Sequence, residues 1–494
     1  MLPTARGVVM GAEAKTKFRL WLPRSRGARW AAVLLAGAIF TLLVLLSHAL
    51  DATLRGVLER NINSRLQGYR VSLGGAHLEL IGLGLSLQNL VVRQQANPEP
   101  PVAAIPRLRA GVEWRELLTF HLVGDATFVR PSVHIDLPQL RQEARAQGSL
   151  KDRGWQQALE AIYPLKFNRM QVIDGSVVYI DQDPHYPYVI SHLELTAGNI
   201  RNIHSREHTY PSPVSATGVL FDSGRASLEG NADFLAEPFP GVHANYRLVE
   251  VPLDRLRPIV SRANLELHGG ILASRGEIEY APTVKLARVV DLSIRNLRLD
   301  YVHTAATAEK EKATAETVAS AARRATREPG LTLRLDRLQL ESSELGFVQR
   351  SQPAYRLYLD RASVTVANLS NHEKEQGPAV ARVRGRFQGS GAAHAEVRFH
   401  PGAEKLDFAL DGEVVDTQLP ALNDVLRAYS KLDVAGGRLS VYSQVQVQNG
   451  QIRGYVKPLL ADLKFYDPKQ DKDKPLGKKI VEKIAGGVAK LLEN

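Results

Sequence analysis

The sequence predicts a mainly β chain: an N-terminal transmembrane helix followed by a long, curved antiparallel sheet with few short helices. Three observations carry that expectation. Twenty residues without a formal charge, Ala31 to Leu50, lie near the start of the 494-residue chain. Beyond Val71 the dominant pattern is period-two alternation of apolar and polar residues, the mark of strands with one apolar face. A stretch of the first half, Leu165–Asn202, realigns with Leu333–Asn371 in the second when one residue is inserted.

At ~1.5 Å per residue the uncharged run makes a helix ~30 Å long, the thickness of a bilayer's hydrocarbon core. Leu34, Leu35, Ile39, Phe40, Leu42, Leu43, Leu45 and Leu46 are its apolar anchors, and Thr41, Ser47 and His48 are mild exceptions. A cleaved signal peptide is the competing reading, but its apolar part is usually shorter and ends at a small-residue site. The net charge is +11, of which +6 falls within residues 1–30 (seven Lys and Arg against Glu13). This tail stays cytoplasmic by the positive-inside rule, so residues 51–494 cross the membrane and lie outside the cytoplasm. With the remaining 464 residues at only +5, no nucleic-acid surface is expected. The absence of cysteine excludes disulfides, thiolate metal sites and a Cys nucleophile.

The organisation expected is a basic tail (1–30), an anchor (31–50), a first β-region (51–303), an inserted helix or loop (304–328), a second β-region (329–466), and a charged linker with an amphipathic C-terminal helix (467–494). Asp51–Leu66 continues the anchor helix outward, and Leu137–Gln147, Trp155–Ile162 and Leu419–Leu432 read as short helices. Asp174-Gly175, His268-Gly269-Gly270, Asp411-Gly412, Gly436-Gly437 and Asn449-Gly450 read as turns. Leu476–Leu492 has one apolar face opposite lysines, suited to an anionic membrane surface or to covering an open sheet end. Within the repeat, both copies change phase at one place: Leu165 and Phe167 then Met170 and Val172; Leu333 and Leu335 then Leu338 and Leu340. An odd step needs a bulge or a bend if one face is to stay apolar. Some 20–25 strands at ~4.8 Å spacing would stack to roughly 100–120 Å.

Motifs for chemistry are scarce, and no enzyme, cofactor or metal site is expected. His204 and His208 stand four apart but Tyr210-Pro211-Ser212-Pro213 follows, so a solvated loop is expected. Asp181 and Asp183 read as an acidic hairpin turn. Gly82 and Gly84 lack the third glycine of a phosphate-binding turn.

Val71–Val92, Leu108–Asp136, Leu165–Asn202 and Ala435–Leu463 together resemble the AsmA-like envelope proteins of Gram-negative bacteria. The last holds a motif resembling that of a subgroup known as a domain of unknown function: Gly454, Tyr455, Lys457 and Pro458. That family is similar to bridge-like lipid-transfer proteins. The resemblance implies a β-groove whose apolar inside holds phospholipid acyl chains, serving outer-membrane lipid homeostasis. Leu331, Leu333, Leu335, Leu338, Leu340, Val364 and Val366 are the candidate groove wall; ordinary core packing explains them equally well. The alternative is an envelope scaffold or assembly factor for outer-membrane proteins that binds through exposed sheet edges. A lipid groove of this length points to other envelope proteins or self-association to complete the path.

Overall fold

The computed structural model describes residues 26–465 apart from 67, 80–83, 113–123, 138–166, 201–208, 235, 237–240, 282–283, 305–319, 321–323, 326–327, 329, 353, 373–376, 402–406, 431–432 and 449–450. Helix α1 (Arg26–Arg65) runs unbroken through the uncharged segment and 15 residues beyond it. Leu34 and Leu35 are exposed on it, while the side chains of Ile39, Phe40, Leu42, Leu43, Leu45 and Leu46 lie outside the described residues. Among the described residues no helix is long and apolar enough to cross a membrane. The expected helices over 138–147 and 155–162, the basic tail up to residue 25, His204 and His208, Asn449-Gly450 and the C-terminal helix also lie outside them.

All twenty strands join one sheet. β1 (Tyr69–Ser72) and β2 (Gly75–Glu79) are halves of one broken strand beside β3 (Gly84–Gln94). β4 (Ala103–Val112) follows, then β5 (Gly124–Val129) and β6 (Ser132–Asp136), again two halves, which lie between β4 and β7 (Phe167–Ile180). From β7 each strand lies beside its predecessor: β8 (Tyr188–Gly198), β9 (Ser212–Leu220), β10 (Gly224–Asp233), β11 (Gly241–Pro252), β12 (Leu265–Tyr280) and β13 (Lys285–His303). The series continues through β14 (Leu331–Gln349), β15 (Tyr355–Ser370), β16 (Ala379–Phe387), β17 (Gly391–Phe399), β18 (Phe408–Gln418), β19 (Val434–Gln448) and β20 (Gln451–Phe465). Because two strands are split, the sheet is narrower than the sequence suggested, about 80 Å across at ~4.8 Å per strand. Among the described residues β1/β2 and β20 do not pair with each other, so the sheet does not close by hydrogen bonds.

The sheet is not wholly antiparallel. β7 runs parallel to β5 and β6, and β14 runs parallel to β13. The segments before β7 and β14 are long enough to carry the chain back to the end where it started, which a hairpin cannot do. Residues 304–328 are therefore part of a crossover. Contacts that tie it to the sheet include Asn371 Nδ2 donating to Ala325 O at 2.8 Å and Lys285 pairing with Glu328 at 3.0 Å.

These two parallel joints divide the sheet into repeated units larger than the sequence repeat. β7–β13 and β14–β20 each begin with a parallel strand, meander through four more, make a helical excursion, and finish with two long strands. The excursions are Leu253–Ala263, before β12, and Leu419–Ser430, before β19; the latter ends in α2 (Asn423–Ser430). Non-glycine residues with positive φ recur at equivalent places: Asp174 and Ser342 (53° and 49°), His192 and Arg361 (49° and 50°), Asn199 and Asn368 (52° and 59°), Glu250 and Asp416 (57° and 60°), Asn296 and Asp462 (56° and 54°). Most sit where the register shifts, so each marks a bulge that bends its strand.

Several expected turns lie inside strands. Asp174-Gly175 and Gly436-Gly437 are bulges within β7 and β19, His268-Gly269-Gly270 is a positive-φ kink in register within β12, and Asp411-Gly412 sits in regular register within β18. The same physical property misled: a bulge, like a hairpin turn, selects residues that tolerate positive φ. The expected phase-correcting bulge is present in the first copy, where Phe167 pairs with Gly124 and Arg169 with Asp125, which leaves Asn168 over. In the second copy β14 keeps register with both neighbours from Leu335 to Leu338, and the extra residue, Val290, lies on β13 against β12.

Three helical segments cover parts of one sheet face. Leu54, Leu58, Ile62 and Leu66 pack on Val71, Leu87, Leu90 and Leu108. Leu253, Leu256 and Val260 pack on Leu267, Leu297, Leu340 and Ala362. Leu419, Leu422 and Leu426 pack on Val434, Leu439, Leu357 and Phe387. Asn63 and Asn423 fasten the first and third in the same way. Each side-chain amide donates to and accepts from one backbone residue, Val71 or Val434, at 2.7–3.0 Å.

Candidate functional site

Register fixes which residues share a face, because directly paired residues project to the same side of a sheet. One such row starts at Ala76 and runs through Leu87, Leu108, Phe128, Val172, Leu195 and Ala216. It continues through Leu228, Tyr246, Gly276, Val289 and Leu335 to Leu369. A second begins at Leu292 and passes Leu338, Val366, Ala381, Val397, Leu410 and Val445 to Gly454 on β20. Neither row contains a charged residue, and together they cross the sheet from β2 to β20.

The next row over has the opposite character. Gln339, Thr365, Arg382, Glu396, Asp411, Gln444 and Tyr455 are successive partners, as are Gln171, Thr196, Ser215, Glu229, Asn245, Glu277, Arg288 and Arg334. The sheet thus has an apolar floor and a polar back. Ion pairs lace the back: Arg288–Asp336 at 2.8 Å, Arg275–Asp291 at 2.5 Å, Arg382–Glu396 at 2.8 Å and Arg398–Glu396 at 2.7 Å. Hydrogen bonds from Arg386 hold the Asp360 carboxyl below the usual carboxylate range. Desolvation opposes ionisation of Asp336, but hydrogen bonds from Arg334 and Arg288 prevail and its pKa is lowered too. A shallow hollow of about 660 Å³ on this side is bordered by His394, Glu396, Arg398, Asp411 and Arg453.

All the candidate wall residues fall on the floor. Leu333 pairs with Ala287 and through it with Ile278; Leu335 pairs with Val289, Leu338 with Leu292 and Leu340 with Ile294. Because β12 is unbroken opposite the bulge, Ala287, Val289 and Leu292 stay on one side of it, and the β14 leucines follow. Leu331 lies two residues before Leu333 on the same strand. The structure then separates the set. Leu338, Leu340 and Val364 lie in the cluster under the Leu253–Ala263 excursion, so ordinary core packing holds for these three. Leu331, Leu333, Leu335 and Val366 lie outside the helix-covered clusters, and Leu333 is 41% exposed.

The motif residues Gly454, Tyr455, Lys457 and Pro458 lie on β20, at the edge of the sheet. Gly454 has φ 149°, and a Cβ there would overlap the Gln444 carbonyl oxygen, so only glycine lets β20 approach β19 at that point. Proline is tolerated at 458 because an edge strand need not donate on both sides. Asp181 and Asp183 lie in the β7–β8 turn, where Asp181 pairs with Arg262 and Asp183 Oδ1 accepts from the His185 amide at 2.9 Å.

Two features escaped the sequence reading. The excursion Leu253–Ala263 was signalled by Leu253, Leu256 and Val260 at helical spacing, with Asn264 closing it at φ 57°. The floor of the first unit was partly hidden because small residues, among them Ala197, Ala216, Gly230, Ala244 and Gly276, are interspersed with its larger apolar ones. Among the described residues the two rows are uncharged and, outside the three helix-covered clusters, partly exposed, so the floor has the chemistry to shield apolar chains from water without a reacting group. No protein-family model and no curated protein matches the chain.

Proposed function

We propose that this is an inner-membrane-anchored periplasmic protein of AsmA-like type that holds phospholipid acyl chains along the apolar floor and so passes lipid toward the outer membrane. The observation that supports this best is the pair of uncharged rows reaching from β2 to β20, which helical segments among the described residues cover at three places. A sheet with one apolar face must cover it with protein or with ligand, and each acyl methylene laid on the floor gains ~0.8 kcal/mol. The uncharged run at 31–50 after a basic tail, with α1 helical throughout it, supports the anchor. Direction of transfer is not built into such a surface and comes from a source or sink elsewhere.

The test is lipid content. The full chain, extracted from native membranes in mild detergent, is expected to retain phospholipid measured by mass spectrometry, and Leu410→Glu is expected to lose most of it while keeping its β-sheet circular dichroism. Equal lipid in wild type and variant would sink the reading.

A further inference from the structure

The two units differ at their last strand. β13 is followed by β14, which lies on its outer edge in parallel from the Lys285–Leu331 pair to the His303–Gln349 pair. β20 holds the equivalent place in the second unit, and among the described residues it pairs only with β19. Its sequence keeps the pattern of β13: Leu297, Arg298 and Leu299 after the kink at Asn296 correspond to Leu463, Lys464 and Phe465 after the kink at Asp462. This 15-residue edge also shows apolar side chains on the floor side, Ile452 at 75% exposure and Val456 at 40%. A long edge with exposed apolar residues is a template for strand addition.

We infer that the outer edge of β20 is a docking surface for a strand of another protein, added in parallel as β14 is added to β13, apolar toward the floor and acidic toward the polar back. The charge preference follows from the internal joint. There Arg298 lies 3.5 Å from Glu344, and Asp291 lies 3.3 Å from Arg337. On β20, Lys464 replaces Arg298 and Lys457 replaces Asp291. The incoming strand therefore needs an acid opposite both lysines, where β14 offers one acid and one base. Such a strand would carry the apolar rows onto the partner without a gap. The inference rests on the repeat and the edge, not on the lipid reading.

The absence of cysteine makes single-site labelling clean. The probe is a synthetic peptide of the β14 sequence, Leu331–Gln349, carrying R337E and a quencher at its N-terminus. The protein is the full chain in detergent, labelled at Q451C or at A461C. Binding with stronger quenching at position 451 is expected, since parallel addition sets the peptide's start beside Gln451. The K457E/K464E pair is expected to weaken binding at least tenfold, while R247E, in the middle of the polar back, leaves it unchanged. Stronger quenching at position 461, or binding indifferent to the lysines, would overturn the inference. So would no binding at all, which would give the edge to the chain's own residues 466–494, or self-association through β20 without peptide.

Discussion

The units β7–β13 and β14–β20 share strand order, a parallel first strand, a helical excursion before the sixth strand and kinks at matching residues, yet their floors are made differently. Along one row the first unit carries Ala197, Gly230 and Ala244 where the second carries Val366, Val397 and Leu410, although the adjacent row of the first unit holds Val172, Leu195, Leu228 and Tyr246. What recurs is backbone geometry and the exclusion of charge; side-chain volume is free to vary. That freedom suits a surface that shields flexible chains. A close-packed core, by contrast, penalises volume changes strongly.

The sharpest way to probe this contrast is to set covered floor against uncovered floor. Leu340 is 7% exposed beneath the Leu253–Ala263 excursion, and Leu340→Ala is expected to cost about 3 kcal/mol in urea unfolding, within the usual range for buried leucines. Leu333→Ala, on open floor, is expected to cost under about 1 kcal/mol because no fixed protein atoms enclose the lost methyls. Equal costs would mean that the floor is a closed core.

Gly276 is the next largest case. A Cβ there would overlap the Arg288 carbonyl oxygen and crowd the Tyr246 ring, so Gly276→Ala is expected to destabilise the first unit by about 2 kcal/mol, as overpacking does. Gly111, with nothing within 4 Å of its Cβ position, should accept alanine within about 0.5 kcal/mol. Smaller still, Arg361 holds φ 50°, a left-handed conformation that costs an L-residue ~1 kcal/mol. Arg361→Gly should therefore raise stability slightly, by up to about 0.5 kcal/mol after glycine's greater entropy loss. A clear loss would show that the kink is held by the arginine side chain.

The polar back adds a pH dependence with a definite sign. Asp336, Asp360 and Glu396 have lowered pKa values in the fold, so their contribution is complete above the unfolded carboxylate range, about pH 4. It is lost as pH falls through the folded values. Thermal unfolding from pH 7 to 3 should show stability falling at the acid end, and Asp360→Asn should flatten that fall. The effect is modest because these pairs are partly solvated.

Much of the fold was legible in alternation and in one odd step: Phe167 to Met170 demanded a bulge or a bend, and Asn168 is the extra residue there, whereas β14 keeps register from Leu335 to Leu338 and the extra residue is Val290 on β13. The extent of the repeat was not, because it is recorded in backbone kinks. Ser342 and Asp174, or Arg361 and His192, share a conformation without sharing a side chain. The parallel joints were invisible for a related reason, since strand direction depends on where a crossover ends. At the candidate site, bulky Leu333 and Val366 stood out as wall residues, whereas Ala244 and Gly230 did not. Small residues on a strand carry little apolar contrast against their polar neighbours.

The most direct measurement places a photo-crosslinking residue at Leu333 or Leu410 on the floor, with Arg334 and Arg382 on the polar back as controls, in the full chain in its native membrane. Phospholipid adducts at the two floor positions, absent at the two controls, are the result expected. Adducts from Leu333 and Leu410 only to the protein's own chain would contradict the account, since they would show the apolar floor covered by protein along its length.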